Sequence, residues 1–273
     1  MFINDNIAAL DAQNNLSASD SALSQVVNEL SSGLQINTAA DNPAGYSIAE
    51  SLQSEINGYD AAQTNSQTAV SVLQTAESAM NQQEQILQQA NALAAQAANT
   101  TTQAGVAASA DNQEFQSLIT ELDQIASSTS FAGVSLLNGS NSALTFQVGP
   151  TAAATDAVVV NLSDTSSVSL GVTSLDISTV AGADAAMTAV QSAISALASA
   201  AASVGASQNQ IEALASNVTV AAQNLTSAHA DLVDVNVATA TSQFTADQIL
   251  EQSGIAVLAQ AQQLPALALK LLP

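Results

Sequence analysis

Apolar positions along this chain recur with a helical rhythm over most of its length. Met187, Val190, Ile194, Leu197, Ala201, Val204, Gln208, Ile211, Ala215, Val218, Ala222, Leu225, His229 and Leu232 are spaced alternately by three and four. That heptad spacing marks a helix with one stripe to bury, and only Gln208 and His229 interrupt its apolar character. At 1.5 Å rise per residue the helix is roughly 70 Å long, and it cannot bury such a stripe on itself. Partners with the same rhythm stand upstream at Ala69, Leu73, Ala76, Met80, Gln83, Leu87, Ala90, Ala94 and Ala97. Phe115, Leu118, Leu122 and Ile125 supply a shorter helix, with Asp111 placed to cap its start. Alanine in these seams permits close approach, so the middle of the chain reads as a bundle of long, nearly parallel or antiparallel helices.

The two ends carry seams of their own. Leu16, Leu23 and Leu30 recur every seven residues, with Val27 and Leu34 between them. Leu250, Gly254, Val257, Ala261, Leu264, Ala268 and Leu271 form a second stripe. Terminal helices with so little else to bury them are marginal alone, so these stripes require partners, either inside one monomer or between copies. Pro265 falls within the last helix, where it removes a hydrogen bond and favours a kink. Between about 139 and 180 the rhythm changes. LTFQVGP, DAVVVNL and SVSLGVTSL are short β-rich runs punctuated by Gly, Pro, Asn and Asp, and they predict one or two hairpins. The fold class is therefore mainly α, a long helical bundle or coiled coil with a small β-hairpin region near the middle of the chain.

Composition narrows what such a bundle can do. In 273 residues there are 23 acidic groups, one Lys and no Arg, giving a formal net charge of -22. Nucleic-acid binding is excluded, because phosphate neutralisation needs Lys and Arg, and an anionic membrane surface repels the chain for the same reason. Charged residues are only 9% of the total, too few for the dense carboxylate surface of a halophile. Basic residues are missing rather than acidic ones added. Below roughly pH 3 the carboxyls, with reference values of about 3.9 and 4.3, are mostly protonated. Lys270, His229 and the α-amino group are then the charges left. This suggests work outside the cell in strong acid, where subunits rich in Gln, Asn, Ser and Thr do not repel; compositional drift in a neutral habitat is the alternative. There is no Cys, hence neither a disulfide framework nor a thiolate site. The opening MFINDNIAALDAQ lacks the basic and apolar regions of a cleaved export signal, and no run of 18 apolar residues occurs to insert in a membrane.

Catalytic chemistry finds no residues to stand on, and no cofactor or metal is expected. One His and no Cys rule out an HExxH zinc helix or a Cys–His pair, and a Ser–His–Asp triad rests wholly on His229, which occupies a seam slot. Asp231 and Asp234 form a carboxylate pair at helical spacing, but solvated helix faces explain them. The eleven glycines are scattered, with no phosphate loop.

Four stretches resemble the bacterial flagellin family. LSSGLQINTAADNPAGYSIAE, residues 30 to 50, is similar to the family's amino-terminal signature, which usually has Arg where Gln35 stands. TSFAGVSLLNG, 129 to 139, and FQVGP, 146 to 150, resemble the turn after the third core helix and the start of the β region. ADQILEQSGIAVLAQAQQLPALALKLL resembles the carboxy-terminal signature, Pro265 included. The resemblance implies a chain that runs out and back, so that paired terminal helices meet in an inner coiled coil of an extracellular filament built from many copies. It implies an inner domain from residues 1–45 and 233–273. An outer domain takes 46–180, with helices and hairpins, and 181–232, the return helix. With only residues 139–180 between the two halves, the form is near-minimal. Leu16, Leu23, Val27, Leu30, Leu34, Leu250, Val257, Ala261, Leu264 and Leu271 become the expected polymerisation interface.

The family also implies an export apparatus and chaperone, and filament cap and hook-junction proteins, as partners, with swimming motility as the outcome. A hook–filament junction protein of the same superfamily is the second reading, disfavoured by strong matches at both ends. The segment LQQANALAAQ, residues 87 to 96, departs from the family, which usually carries Arg where Gln89 and Asn91 stand. In relatives those residues, with positions matching Leu93 and Glu114, serve axial subunit contacts and recognition by the animal flagellin receptor. Amide bonds or apolar packing must replace those salt bridges here, and receptor recognition should be weak.

Overall fold

The computed structural model describes residues 6–99 and 106–270, with side chains described for 6–99 and 108–263. It contains five helices among these residues: α1 (Ile7–Ser32), α2 (Pro43–Ala97), α3 (Val106–Ser128), α4 (Val180–Val233) and α5 (Val237–Lys270). Four short strands lie between α3 and α4: β1 (Ser130–Phe131), β2 (Val134–Ser135), β3 (Ala143–Gln147) and β4 (Ala157–Asn161). The chain divides into two compact units. The first takes both ends, residues 1–54 and 224–273, and the second takes the middle, 55–223.

In the second unit the heptad reading holds almost residue by residue. Ala69, Leu73, Ala76, Met80, Gln83, Leu87, Ala90, Ala94 and Ala97 of α2 are all buried, as are Val190, Leu197, Val204, Ile211 and Val218 of α4. Phe115 and Leu122 of α3 are fully enclosed among them, in one continuous apolar cluster. α4 is apolar enough in composition to cross a membrane, with a mean hydropathy of 1.3 over its best window. Its exposed positions, however, include Gln191, Ser192, Ser195, Ser199 and Ser203, a polar face that lipid would leave without hydrogen-bonding partners.

Asp111 does not cap α3. The helix begins at Val106 and Asp111 lies inside it, half-buried. The alanine-rich lead-in has high helix propensity and extends the helix upstream of the carboxylate.

Of the three expected β runs, two form strands. β3 and β4 pair antiparallel in a five-residue register, Ala143 opposite Asn161 through Gln147 opposite Ala157. A second tiny hairpin, β1–β2, turns at Ala132 and Gly133, both at positive φ. The third run, SVSLGVTSL, is not a strand: residues 163–179 form turns and extended backbone. Side chains of α2 and α3 take over the hydrogen bonds a neighbouring strand would provide. Asp123 accepts from the Ser167 N–H at 2.7 Å and its hydroxyl at 2.6 Å, and Asn112 Oδ1 accepts from the Ile177 N–H at 3.0 Å. Gln116 Nε2 donates to the Leu175 carbonyl at 2.5 Å. The fully buried Gln83 donates to the carbonyls of Leu122 and Thr165 at 3.2 and 3.3 Å. With its polar groups met, this segment buries Val172 and Ile177 completely.

Close backbone approach also constrains this unit. A Cβ on Gly58 of α2 would stand 2.9 Å from Pro150 Cβ and 3.3 Å from its Cα, so the loop after β3 can lie on α2 only where a side chain is missing.

Candidate functional site

The first unit is built around α1 and α5, which pair antiparallel. Asn6 caps α1, accepting from the Ala9 N–H at 3.2 Å, and its amide donates to the Ala261 carbonyl at 2.8 Å. At the other end, Gly33 ends α1 in the left-handed conformation with φ 78°, its N–H on the Glu29 carbonyl. The chain beyond it pairs with the segment between α4 and α5, since Gln35 N–H donates to the Val233 carbonyl and Val235 N–H to the Gly33 carbonyl. Asn236 caps α5, accepting from Ala238 and Thr239 N–H. Both helices of the pair thus have the asparagine starts that satisfy their orphan donors.

On α1 the buried or half-buried residues are Ala9, Ala12, Leu16, Ser19, Ala22, Leu23, Val26, Glu29 and Leu30, a three–four alternation widened at Ala22 and Glu29. Leu16, Leu23 and Leu30 of the expected stripe are therefore in this seam, while Val27 is 43% exposed and its neighbour Val26 is buried. Leu34 lies past the end of α1, half-buried in a bridge with Asp234. On α5 the least exposed positions are Ala240, Phe244, Asp247, Glu251, Gly254, Leu258 and Ala261. Gly254 and Ala261 belong to the expected stripe. Leu250 and Val257 do not face the seam; each is 55% exposed. Leu264 lies in the helical backbone of α5 but its side chain is outside the described residues, as is the whole of Leu271. The helix continues through Pro265.

The pair is close because its seam is small. A Cβ on Gly254 would meet Leu16 Cδ1 at 3.2 Å. α5 is thus turned so that Ala240, Phe244, Gly254, Leu258, Ala261 and two carboxylates approach α1, while Leu250, Val257 and Ile249 are left exposed on one side of the helix and Ile255 on the other. Ala12, Leu16, Ser19, Leu250, Gly254 and Val257 line an open groove along the pair. Ile7 and Leu10 at the start of α1 are exposed as well, at 60% and 58%. Exposed apolar side chains occur elsewhere too, at Ile48, Val134, Val159, Val168 and Val220, but their concentration on this helix pair marks an interaction face.

The expected axial patch lies in the second unit. Gln89 and Glu114 are exposed; Asn91 and Leu93 are half-buried, Leu93 packing on the core and Asn91 holding a buried Oδ1 without a partner.

Three carboxylates are held below the ordinary aspartate range. The Thr38 and then the Asn37 N–H hold Asp41 down. The Thr151 hydroxyl and then its N–H do so for Asp156, and the Ser178 hydroxyl and N–H for Asp176. None is grouped with histidine or other acids as a metal ligand set, and no such group occurs among the described residues.

Comparison with known proteins agrees with this arrangement of ends and middle. Residues 3–142 match the family described as the bacterial flagellin N-terminal helical region, and 187–272 match the C-terminal helical region. A flagellin of Bacillus subtilis is 36% identical over 305 aligned residues, and one of Halalkalibacterium halodurans 34% over 272, each covering 100% of both chains. The flagellar filament 33 kDa core protein of Treponema phagedenis is 32% identical over 290 residues, also end to end. Among solved structures, the crystal structure of Bacillus cereus flagellin aligns with a TM-score of 0.51 at 28% identity, covering 61% of this chain and 94% of that one. With both family regions in order at the two ends and end-to-end identity to named members, this chain belongs to the bacterial flagellins.

Proposed function

We propose that this flagellin assembles through the open side of its terminal helix pair, a neighbouring subunit covering Leu250, Val257 and Ile249. As a flagellin, the chain is a structural subunit of the extracellular flagellar filament for motility, polymerised in many copies, and is not an enzyme. The observation that carries the interface is the rotation of α5: its Leu250 and Val257 side is left open beside a groove while Asp247 and Glu251 are turned inward. Ile7, Leu10 and Val27 add exposed apolar side chains on α1, and Leu264 and Leu271 continue the α5 stripe in sequence. End-to-end identity to flagellins favours the filament role over a junction adaptor. The inner domain is taken as residues 1–45 with 233–273, and the outer domain as 46–232. Export through a dedicated apparatus with a chaperone, and contacts with cap and hook-junction proteins, belong to the same reading. So does an axial contact at Gln89, Asn91, Leu93 and Glu114 made by amides and apolar packing instead of arginine.

The filament is tuned for acid, a reading supported by 23 carboxylates against a single Lys. Two terms oppose each other there. Self-repulsion of a chain at -22 disappears as its carboxyls are protonated. Asp41, Asp156 and Asp176, with depressed values, act the other way. Their stabilisation is present above the ordinary aspartate range and is lost as pH falls through their lowered values. Repulsion summed over many identical subunits outweighs three solvent-exposed loop clasps. The test is the length and mass of preformed filaments, by light scattering and electron microscopy, from about pH 2 to about pH 8. Persistence in acid is expected, and depolymerisation at about pH 2.5 with persistence at about pH 7 sinks the acid reading.

A further inference from the structure

Two Asn-Gly dipeptides occur in the chain, Asn57-Gly58 and Asn138-Gly139. An asparagine followed by glycine can cyclise on itself, because the next main-chain nitrogen is within reach of the side-chain Cγ and glycine puts no Cβ in the path. The fold treats the two sites oppositely. Asn57 lies inside α2, where side chains lean toward the helix N-terminus, away from the following nitrogen, and where the Gly58 N–H belongs to the helical ladder. Pro150 closes over Gly58 as well.

Asn138 stands in the loop between β2 and β3, half-buried, and is followed by the exposed Gly139 at φ 74°. The Gly139 N–H has no hydrogen-bond partner among the described residues. Ser140 N–H donates to Asn138 Oδ1 at 3.1 Å. That bond folds the carboxamide back over the Asn138–Gly139 peptide. It also puts a donor on the oxygen that turns negative when the Gly139 nitrogen adds to Cγ. Nucleophile, electrophile and oxyanion donor thus come from consecutive residues.

We propose that Asn138 is a self-deamidating site, a modification built into this loop, so that older subunits carry a carboxylate there. The Gly139 nitrogen bonds to Cγ and loses its proton, the Cγ–Nδ2 bond breaks, and the amide leaves with that proton as ammonia. Water then opens the succinimide. Attack at Cγ gives aspartate; attack at the Asn138 main-chain carbonyl carbon gives isoaspartate, with the chain continuing through the side chain. Either product places its new charge beside Asp164, whose Cβ lies 3.1 Å from where a Gly139 Cβ would stand, and the two carboxylates repel. Leu137 next to the site is fully buried, and its carbonyl accepts from the Thr165 N–H at 2.9 Å. The products therefore act on the contact that ties the 163–179 segment to this loop.

The experiment incubates the full chain in mildly alkaline buffer, folded and in denaturant. Both asparagines are followed by mass spectrometry of peptic fragments, with aspartate and isoaspartate separated by chromatography. In the folded chain Asn138 should convert about tenfold faster than Asn57, whereas in denaturant the two should differ by less than about threefold. Asn138→Gln, whose added methylene enlarges the ring to be closed, should lose the signal at that fragment. Equal rates at the two sites in the folded chain, a slower reaction at Asn138 folded than unfolded, or a mass shift that persists in Asn138→Gln overturns the assignment.

Discussion

Replacing Leu250 and Val257 together by serine separates surface that serves the monomer from surface that serves the polymer. Fully burying a leucine or valine side chain stabilises by about 1.5–3 kcal/mol. Each of these is 55% exposed in the single chain, so covering the remainder against another subunit contributes about 1 kcal/mol per residue, or about 2 kcal/mol for the pair. That corresponds to a rise of roughly 30-fold in critical concentration. The monomer should lose about 1.5–2.5 kcal/mol, because the covered part of each side chain, in the groove beside Leu16, is removed as well. The assay pairs sedimentation after assembly with thermal unfolding of the monomer followed by circular dichroism. Unchanged critical concentration refutes the argument. So does a monomer destabilised by about 4 kcal/mol or more, since the two side chains would then be part of the chain's own core.

Other outcomes follow from the same geometry. Phe115→Ala, in the enclosed centre of the second unit, should cost about 3–5 kcal/mol in urea unfolding; a loss below about 1 kcal/mol contradicts the bundle core described for α2, α3 and α4. Asp41→Ala should lower thermal stability at neutral pH, because the carboxylate holds three donors of Asn37 and Thr38. The difference should close as pH falls through the depressed value of Asp41, and a difference that widens in acid reverses the assigned sign. Monomer should activate animal flagellin-receptor reporter cells weakly, given Gln89 and Asn91 where relatives carry arginine. Activation at the concentrations typical flagellins need is the contrary result.

The parts of this fold that were legible in the sequence are those buried within one chain. The α2 and α4 seams alternate by three and four over their whole length; every position named from that spacing on α2 is buried, and on α4 every one is buried or half-buried. The SVSLGVTSL segment misled because Val168, Leu170 and Val172 alternate like one face of a strand, yet Val172 is buried while Val168 is 75% exposed. Its backbone, however, is satisfied by Asp123, Asn112 and Gln116 of α3, partners that no local pattern announces. Asp111 misled for the opposite reason, a good capping residue overtaken by helix-forming alanines before it.

At the terminal pair, choosing the most apolar stripe of α5 picks Leu250 and Val257, whereas the chain buries Asp247, Gly254 and Leu258 against α1. Periodicity reports which residues seek burial but not whether the cover comes from the same chain or a neighbour. In a subunit made for a polymer the richer face is free to serve the neighbour. Val27 beside the buried Val26 shows the same division on α1.

The most direct test of this account is a helical reconstruction, by electron cryomicroscopy, of filaments grown from the purified chain. It should show α1 and α5 of each subunit paired antiparallel, with Leu250 and Val257 covered by a neighbouring copy. Filaments in which those two side chains remain in solvent, or a protein that forms no filaments under polymerising conditions, would contradict it.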